Sequence, residues 1–368
     1  MYSGNTPSRI NKELFNGTIN WISSGELKEH YIYSTKERIS QEAANNLKLL
    51  SVGTFVIAIY GLEAEGVRGT GSITQEPSTI SQACMAFTPK GEITNEFLYS
   101  WYKKHGNVIG VKYAQGTKQQ NLSYDILEKF KISYPNVKEQ DKLNLFFSLI
   151  DKRISTQNKI IEDLKKLKCA IIEKHYRQAK LHKYKICDLG VPFSVGSLSK
   201  EDLSEKGHEC ILYGELFTTY DCVINEIKSH TNKIANMTLS QKRDLLFPSS
   251  TTVDAVSLIS PSVIDIPNVV LGGDMFGIHI DKKFNAYYLS YYINIITRKK
   301  LAIYAKGSTI IHLHYKDIAK AQLLLPDLCE QDRIAKCMMA EDDKIKVEEQ
   351  LMTKLEEQKQ YLLRQMFI

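Results

Sequence analysis

The sequence predicts an α/β (α+β) fold with two pseudo-symmetric globular domains separated by two long antiparallel coiled-coil helices. Three observations support this prediction. A series of landmark residues recurs 191 residues along the chain, each copy ends in an apolar heptad pattern, and mixed β-rich and helical patterns precede each heptad pattern. A chain of 368 residues with 43% hydrophobic content is also long enough to bury two cores.

The internal repeat keeps its register without a gap from Gly116, which corresponds to Gly307, as far as Tyr176. Matching pairs include Leu122 and Leu313, Tyr124 and Tyr315, Lys129 and Lys320, Pro135 and Pro326, Glu139 and Glu330, Gln140 and Gln331, and Asp151 and Asp342. A weaker echo upstream relates residues 22–27 to residues 211–216. A period this long indicates two duplicated domains related by pseudo-symmetry rather than a solenoid.

The repeat divides the chain into four parts. We expect globular domains at residues 1–135 and 181–325, and long helices at residues 136–180 and 326–368. The second half has a segment at residues 184–190 before its first landmark, whereas the first half opens almost directly at residues 3–8. The first domain is therefore expected to lack its leading strand.

Within each globular half, a helical pattern rich in Tyr and Phe (95–104 and 285–300) is expected to pack into the core. Residues 131–134 and 321–325 are predicted strands, each ended by a proline that cannot donate to a ladder. Asn136 with Glu139, and Asp327 with Glu330, have the spacing of a capping box. Residues 247–252 are predicted to form a loop rather than core.

The predicted long helices carry apolar residues that step by three and four, which is typical of a coiled-coil seam. Two helices of about 40 residues would each extend roughly 60 Å. Polar residues interrupt the seam at Gln157, Lys168, Glu341, Glu348 and Lys359, either to fix the register or because their ends reach solvent. The predicted seam residues are Phe147, Ile150, Ile154, Ile161, Leu164, Ile171, Met338, Ile345, Met352, Leu355, Leu362 and Met366.

Composition favours a cytoplasmic protein. The beginning of the chain is polar, and its longest apolar runs are too short to span a membrane. The seven cysteines form no C-x-x-C pair, which argues against a disulfide framework and a zinc knuckle. A net charge of +6 is compatible with a polyanionic partner but does not require one.

The sequence contains no convincing catalytic motif. The sequence contains no phosphate-binding P-loop, no dinucleotide-binding glycine motif, and neither Asn-Pro-Pro-Tyr nor Asp-Pro-Pro-Tyr of the amino-methyltransferases. His312 and His314 are expected on one strand face, but no further ligand is near in sequence, so packing or a nucleic-acid contact is favoured over a metal site. We therefore expect no catalytic residue, no metal and no cofactor on this chain.

Two polar loops, at residues 115–121 and 306–312, precede the predicted strand-proline-helix units. Their amides and hydroxyls suit the reading of base edges, and their lysines suit phosphate contacts. Turn formation alone would also explain Gly116 and Gly307. The candidate DNA-binding residues are Arg68, Lys118, Gln119, Gln120 and Asn121 in the first half, and Thr251, Thr252, Lys306, Ser308, Thr309 and His312 in the second.

This organisation resembles the specificity subunits of type I restriction-modification systems. The resemblance rests on two half-repeats that each contain a polar loop, such as residues 116–123, then Pro-x-x-x-Glu-Gln and a long heptad helix. Residues 211–217 and 245–252 also look like that family.

The resemblance implies that the globular parts are target recognition domains, each reading one half of a bipartite site on double-stranded DNA. The helices would be the family's conserved spacer regions, which set the spacing and dock the methyltransferase subunits. Expected partners are two modification subunits carrying S-adenosylmethionine, and motor-nuclease restriction subunits using ATP, with no membrane involved. The alternative is a duplicated coiled-coil scaffold that binds proteins without DNA specificity, and an enzyme with an unrecognised site is a weaker third interpretation.

Overall fold

The computed structural model describes residues 1–64, 66–89, 91–116 and 118–367. They form two compact units, Met1–Asn158 with Gln350–Ile368 (unit 1) and Lys159–Glu349 (unit 2). The boundary falls within both long helices, so each unit contains one globular domain and a part of each helix.

The described residues of unit 1 form eight short strands and three helices before the first long helix. The strands are β1 Tyr2–Ser3, β2 Ile19–Ile22, β3 Tyr31–Ile32, β4 Arg38–Ile39, β5 Phe55–Ala58, β6 Gly71–Thr74, β7 Ser78–Ile80 and β8 Cys84–Phe87. The helices are α1 Gln41–Asn45, α2 Asn95–Tyr113 and α3 Tyr124–Leu127, followed by the long helix α4 Val137–Gln178.

Unit 2 has more strands and a similar set of helices. Its strands are β9 His182–Lys185, β10 Gly190–Ser194, β11 Leu203–Ser204, β12 His208–Leu212, β13 Val223–Ile224, β14 Ser229–Thr231, β15 Thr238–Leu239, β16 Asp244–Pro248, β17 Ser250–Thr251, β18 Ser262–Ile264, β19 Val270–Gly272, β20 Met275–Ile280, β21 Ile311–His312 and β22 Gln322–Leu325. Its helices are α5 Glu215–Thr218, α6 Ala255–Leu258, α7 Ala286–Tyr292, α8 Arg298–Ala302, α9 Tyr315–Ile318 and the long helix α10 Leu328–Met366, with a π-helical turn, Ile293–Thr297, between α7 and α8.

The sheets repeat the same strand order in both units. One five-stranded sheet is β1-β8-β5-β6-β3 in unit 1 and β10-β20-β16-β18-β13 in unit 2. The pairing of individual residues also recurs. Tyr2 lies opposite Ala86 in unit 1, and their counterparts 191 residues later, Phe193 and Gly277, lie opposite each other in unit 2. The smaller sheet β4-β2-β7 corresponds to β14-β12-β19, which unit 2 extends with β11 and β15. Mixed parallel and antiparallel sheets with packed helices confirm the predicted α+β class and the duplication.

The aromatic helices form the cores, as predicted. Phe97 and Tyr102 of α2, and Tyr288 and Tyr292 of α7, are all buried. The prediction of a loop at residues 247–252 is wrong, because Phe247 is fully buried in β16 and stacks on Phe276 with ring centroids 5.0 Å apart. The apolar run before Pro248 is typical of a buried strand, and the proline occupies its last position, where a missing donor matters little.

A glutamine anchors the start of each long helix. The Asn136 and Asp327 side chains accept hydrogen bonds from the backbone N–H of Glu139 and Glu330, at 3.1 and 3.0 Å. This is the capping half of the predicted box. No reciprocal bond from either glutamate appears in the described residues.

The adjacent glutamines, Gln140 and Gln331, are 0% and 1% exposed. Each donates to the carbonyl of the proline before the helix at 2.8 Å. Each also accepts from the backbone N–H of an N-cap residue of an aromatic helix, Thr94 at 2.9 Å and Asn285 at 3.0 Å. The Pro-x-x-x-Glu-Gln signature therefore ties each long helix to the core of its unit.

The long helices pair antiparallel within each unit. In unit 2, Lys165 contacts Glu349, Lys168 contacts Asp342 and His175 contacts Glu330. Residue numbers along α10 therefore fall as those along α4 rise, as expected for antiparallel helices. In unit 1, Lys359 contacts Asp151, which is the same pair exchanged by the repeat. Burial opposes the charge on Asp151, but contacts with His30 and Lys359 outweigh it and lower its pKa. Lys168 and Lys359 are thus ion-paired, which supports their interpretation as register-fixing residues.

The predicted seam is buried along most of its length. Phe147, Ile161, Leu164, Met338, Ile345 and Leu355 are buried, and Ile150, Ile154, Ile171, Met352 and Leu362 are half-buried. At the far end of each helix the prediction is off by one residue, because Ile172, Leu363 and Phe367 are 0–2% exposed whereas Met366 is 38% exposed. A straight α-helix drifts by about 20° per heptad from a 3.5-residue repeat, so the buried face passes to the next residue after several heptads.

Two strand predictions have different outcomes. Residues 321–325 contain β22, which pairs with β9, but residues 131–134 form no strand. Unit 1 contains β1, which corresponds to the end of β10, but its described residues provide no counterpart of β9. A strand needs a partner for its hydrogen bonds, and the sequence pattern of residues 131–134 does not supply one.

Candidate nucleic-acid interface

The described residues of the two polar loops, all but residue 117, form the same hairpin pairing in both units. Gln115 and Asn121 exchange two backbone hydrogen bonds, both 2.9 Å long, and Lys306 and His312 exchange two of 2.9 and 2.7 Å. We call them the 115–121 hairpin and the 306–312 hairpin. The sequence repeat thus places polar side chains on equivalent backbone at three described pairs of positions, Gln115 and Lys306, Lys118 and Thr309, and Asn121 and His312, whereas Gln119 and Gln120 correspond to Ile310 and Ile311.

Each hairpin depends on its glycine. Gly116 and Gly307 have φ of +115° and +118°, a region that residues with side chains rarely adopt. A Cβ on Gly116 would lie 2.1 Å from the Gln119 carbonyl oxygen, and one on Gly307 would lie 2.0 Å from that of Ile310. The turn explanation therefore holds for the glycines themselves. It does not explain the polar side chains around them.

In unit 1, a neighbouring loop holds the hairpin in place. The Gln120 backbone N–H donates to the Glu63 carboxylate at 2.9 Å, and the Leu62 N–H donates to the Gln120 carbonyl at 3.2 Å. The bond from Gln120 lowers the pKa of Glu63. Lys118 and Gln119 are exposed, while Gln120 and Asn121 are half-buried. This leaves the first two side chains most accessible to a ligand.

Arg68 lies beside the hairpin but supports its neighbouring loop. Its guanidinium donates to the Leu62 carbonyl through Nε and to the Glu63 carbonyl through Nη2, the latter at 3.1 Å. Its aliphatic stem covers Gly110 of α2. Arg68 therefore braces the loop that holds the hairpin, and a DNA contact through its half-buried side chain remains a prediction.

In unit 2, all the candidate residues come together. The strands β17 and β21 pair Ser250 with His312 and Thr251 with Ile311, which places Thr251 and Thr252 beside the 306–312 hairpin. The exposed candidates there are Thr252, Lys306, Ser308, Thr309 and His312, whereas Thr251 is half-buried. This juxtaposition joins segments that are more than 50 residues apart in sequence.

The electrostatics of the 306–312 hairpin include one internal ion pair. The Lys306 ammonium lies 2.6 Å from the Asp317 carboxylate, which lowers the pKa of Asp317. The Lys306 side chain is still 76% exposed, so it can reach a second anion. His314 does not lie on the strand as expected, because β21 ends at His312 and His314 is the N-cap of α9.

The rings of His312 and His314 are nearly parallel, with centroids 6.2 Å apart. No group of three or more His, Cys, Asp or Glu side chains in the described part of the chain is arranged to hold a metal ion.

Sequence reasoning missed three exposed side chains at these surfaces. Ile310, within the second hairpin, is 50% exposed, and Val253, just after β17, is 74% exposed. Tyr60, the unit 1 counterpart of Thr251, is 36% exposed and pairs with Asn121. Two features of the sequence could have indicated them: Ile310 is an apolar residue within a polar turn, and Tyr60 is an aromatic residue just after the buried strand β5. Such side chains suit contacts with thymine methyl groups or base faces.

A family model described as the type I restriction modification DNA specificity domain matches residues 2–166 and again residues 184–357. The chain belongs to this family. The two matched segments agree with the internal repeat predicted from the sequence, and the family agrees with the resemblance drawn from its motifs.

Curated relatives and a solved structure agree with this family. The chain is 28% identical over 170 residues to a type I restriction enzyme specificity subunit (MjaIX) from Methanocaldococcus jannaschii, covering 45% of this chain and 38% of that protein. It is 29% identical over 168 residues to the EcoR124I/EcoR124II specificity subunit from Escherichia coli, covering 44% of this chain and 40% of that protein. The chain thus spans about 40% of the length of these relatives.

The fold resembles that of a type I restriction-modification S subunit from M. genitalium, with a TM-score of 0.58 at 16% identity, covering 100% of this chain and 93% of that one. In the described residues, no helix is both long and apolar enough to span a membrane.

Proposed function

We propose that this chain is the DNA-specificity subunit of a type I restriction-modification complex, in which each globular domain reads one half of a bipartite site on double-stranded DNA. One observation carries the proposal. The same glycine-dependent hairpin, bearing exposed polar side chains, occurs once in each half of a chain whose halves each match a DNA specificity domain.

The side chains at the hairpins suit both kinds of DNA contact. Amides and hydroxyls, such as those of Gln119 and Thr309, hydrogen-bond base edges, and the exposed Ile310 provides an apolar contact for a thymine methyl group. Lys118 and Lys306 suit contacts with phosphates, which position a protein without reading sequence. Because phosphate neutralisation releases counterions, affinity is expected to fall steeply with salt.

In this proposal the chain carries no catalytic group and no cofactor. Two modification subunits would dock on the α4 and α10 helices and supply S-adenosylmethionine and the methylating site. Restriction subunits would supply ATP-driven translocation and cleavage, and the complex would work in the cytoplasm. The support is the family membership and the relatives named as type I restriction enzyme specificity subunits.

The test is to express the full chain with a modification subunit and to map methylated adenines on plasmid DNA by single-molecule sequencing. We expect one two-part motif with a constant gap. Methylation without a two-part motif, or a stable complex without methylation, would contradict the proposed specificity. The second outcome would instead favour the alternative of a coiled-coil scaffold that binds only proteins.

Hairpin variants make the test sharper, because each half of the molecule serves as the control for the other. Replacing Ser308, Thr309 and His312 by alanine is expected to change or relax one half of the motif and leave the other half unchanged. Replacing Lys118, Gln119 and Asn121 by alanine is expected to affect only the other half. If both sets alter the same half, or neither alters any, the hairpins are not the reading elements.

A further inference from the structure

An arginine on α8 of unit 2 holds the segment beside the 306–312 hairpin. Arg298, the first residue of α8, donates through Nε to the Val256 carbonyl at 2.8 Å and through Nη2 to the Ser257 carbonyl at 3.2 Å. Both carbonyls belong to α6, the short helix that follows β17. This helix also contacts β17 and β21. The guanidinium therefore fixes α6 beside the two strands that carry candidate DNA-binding residues.

This arginine supplies most of the attachment of residues 252–258. Among the described residues, its two hydrogen bonds are the only ones that join this segment to another part of the chain, because the others stay within residues 251–260. Leu258, at the end of the segment, is fully buried. At the other end, Thr252 and Val253 are exposed next to the hairpin. The position of these two side chains thus depends on the arginine.

The segment behaves as one piece because its short helix is capped. The Asp254 carboxylate accepts hydrogen bonds from the N–H and the hydroxyl of Ser257, at 2.8 and 2.7 Å. These bonds lower the pKa of Asp254, and the charge of Arg298 lowers it further. A grip on the carbonyls of α6 is therefore transmitted to the residues just before it.

Unit 1 has the same kind of brace at a different position in the sequence. Arg68 also donates through Nε and Nη2 to two consecutive carbonyls, those of the loop that holds the 115–121 hairpin. At the 191-residue offset, Arg68 corresponds to Ile259 and Arg298 corresponds to Asn107, so the two arginines are not equivalent in the repeat. The same contact arises from a loop residue in one unit and from a helix residue in the other. This indicates that each hairpin needs a neighbouring segment that is held in place.

The helices facing the two braces differ at the positions where the contact is made. In α2, Gly106 and Gly110 leave room for the loop, and a Cβ on Gly106 would lie 2.9 Å from a backbone atom of that loop. Their counterparts in unit 2 are Thr297 and Leu301, both buried. Thr297 ends the π-helical turn, a feature that is frequent at functional sites, and Arg298 follows it directly. Larger side chains leave no room for the close approach seen in unit 1, and the arginine makes the connection.

We propose that Arg298 is a positioning residue for DNA reading by unit 2. It keeps residues 252–258 beside the 306–312 hairpin, so that Thr252 and Val253 form one reading surface with the hairpin. The planar fork of arginine suits this role, because it addresses two carbonyls at once. The inference rests on the proposed function and adds a residue that acts without touching DNA. Its loss is expected to reduce discrimination between bases, which base contacts provide, more than the affinity that phosphate contacts provide.

The test uses the full chain in complex with the modification subunit. Affinity is measured for duplexes that carry the methylated motif and for duplexes with single mismatches, and the hairpin variants described above identify the half read by unit 2. Arg298→Met removes the donors but keeps a long unbranched side chain. We expect discrimination against mismatches in that half to fall about tenfold, and discrimination in the other half to stay within about threefold. Unchanged discrimination in both halves would overturn the proposal.

Salt dependence separates positioning from a direct phosphate contact. Loss of a phosphate contact weakens binding to matched and mismatched DNA equally, and it reduces the slope of log affinity against log salt concentration by about one. Positioning predicts that the slope and the affinity of Arg298→Met for mismatched DNA remain those of the wild type. Equal weakening on both kinds of DNA, with the smaller slope, would show that Arg298 contacts DNA directly and would refute the positioning role.

Two further variants control for charge and folding. Lys299→Met removes a positive charge from an exposed neighbour on the same helix and should keep discrimination within about threefold. The same loss as in Arg298→Met would mean that charge on α8, rather than the brace, is responsible. Arg298→Lys keeps the charge without the planar fork, and we expect it to lose more than about threefold. This variant decides the question if thermal melting shows that Arg298→Met does not fold, and wild-type discrimination in it would contradict the proposal.

The brace of unit 1 provides an independent check. Arg68→Met is expected to lower discrimination only in the half read by unit 1. If Arg68→Met and Arg298→Met lower discrimination in the same half, the braces do not act locally and the proposal fails. A wild-type complex without any two-part motif would instead refute the proposed function, and this inference with it.

Discussion

At the scale of single residues, the buried glutamines Gln140 and Gln331 determine where each long helix is attached. A buried side-chain amide is tolerated only when its polar atoms are paired, and both glutamines meet this condition through a proline carbonyl and an N-cap amide. The two attachments are independent, since one lies in each unit.

Gln331→Leu is expected to destabilise unit 2 by about 2 kcal/mol or more, because it leaves the Asn285 N–H and the Pro326 carbonyl buried without a partner. Urea unfolding measures the loss. Gln358→Leu, an exposed position on the same helix, is the control and should change stability by less than about 0.5 kcal/mol. Equal stability of the two variants would mean that the buried amide does not contribute.

The hairpin glycines support a second residue-scale prediction. Gly307→Ala is expected to destabilise the hairpin by about 1–3 kcal/mol, because alanine disfavours the positive φ and its Cβ would clash with the Ile310 carbonyl. Gly214→Ala is the control, since Gly214 has φ of −63° and no atom near its Cβ direction. Both variants are compared by urea unfolding, and Gly307→Ala as stable as Gly214→Ala would refute the strain argument.

Features fixed by local backbone geometry were predictable at this scale. The helix caps at Asn136 and Asp327 were found because capping depends on residues three apart. The packing of Gln140 and Gln331 was not found, because it depends on contacts with residues more than 40 positions away. Ion pairing of Lys306 with Asp317, across 11 residues, also has no signature in the sequence.

At the scale of elements, the long helices show where a periodic pattern stops being reliable. The seven-residue repeat located the middle of the seam, where Ile161, Leu164, Ile345 and Leu355 are buried. Toward the helix ends, accumulated drift moved the buried position from Ile171 to Ile172 and from Met366 to Phe367. Similarly, residues 131–134 have a strand-like pattern, but the pattern carries no information on whether a partner strand is present.

The drift predicts that Ile172 contributes more to stability than the adjacent Ile171. Ile172→Ala should cost about 2–4 kcal/mol, since it empties a fully buried site in the unit 2 core. Ile171→Ala removes a half-buried side chain and should cost roughly half as much or less. The two substitutions are chemically identical and adjacent, so each controls for loss of helix propensity in the other. If urea unfolding shows a larger loss of stability for Ile171→Ala than for Ile172→Ala, the buried face has not drifted and the seven-residue repeat holds to the end of the helix.

At the scale of the whole molecule, duplication organises both structure and proposed function. Lys168 pairs with Asp342 in unit 2, and the repeat maps this pair onto Lys359 and Asp151 in unit 1. The strand order, the hairpins and the glutamine anchors recur in the same way. The repeat was visible in the sequence because it preserves residue types at a fixed offset, whereas the pairing of β9 with β22 became clear only from the structure.

If the helices set the distance between the two DNA half-sites, shortening them should shorten the unspecified gap. Deleting residues 156–162 and 348–354 together removes one heptad from each helix and retains Lys168, Asp342, Lys359 and Asp151 for pairing. Seven residues correspond to about 10 Å of helix, and a base pair to about 3.4 Å, so the gap should fall by about three base pairs.

The change would be read from the methylation motif of the complex with the modification subunit. Both half-sites should keep their sequences, because the deletions leave the two hairpins intact. Deleting only one of the two heptads is the control, since it puts the ion pairs out of register and should reduce stability rather than yield a defined shorter gap. A double deletion that methylates the original motif with an unchanged gap would show that the helices do not act as a ruler.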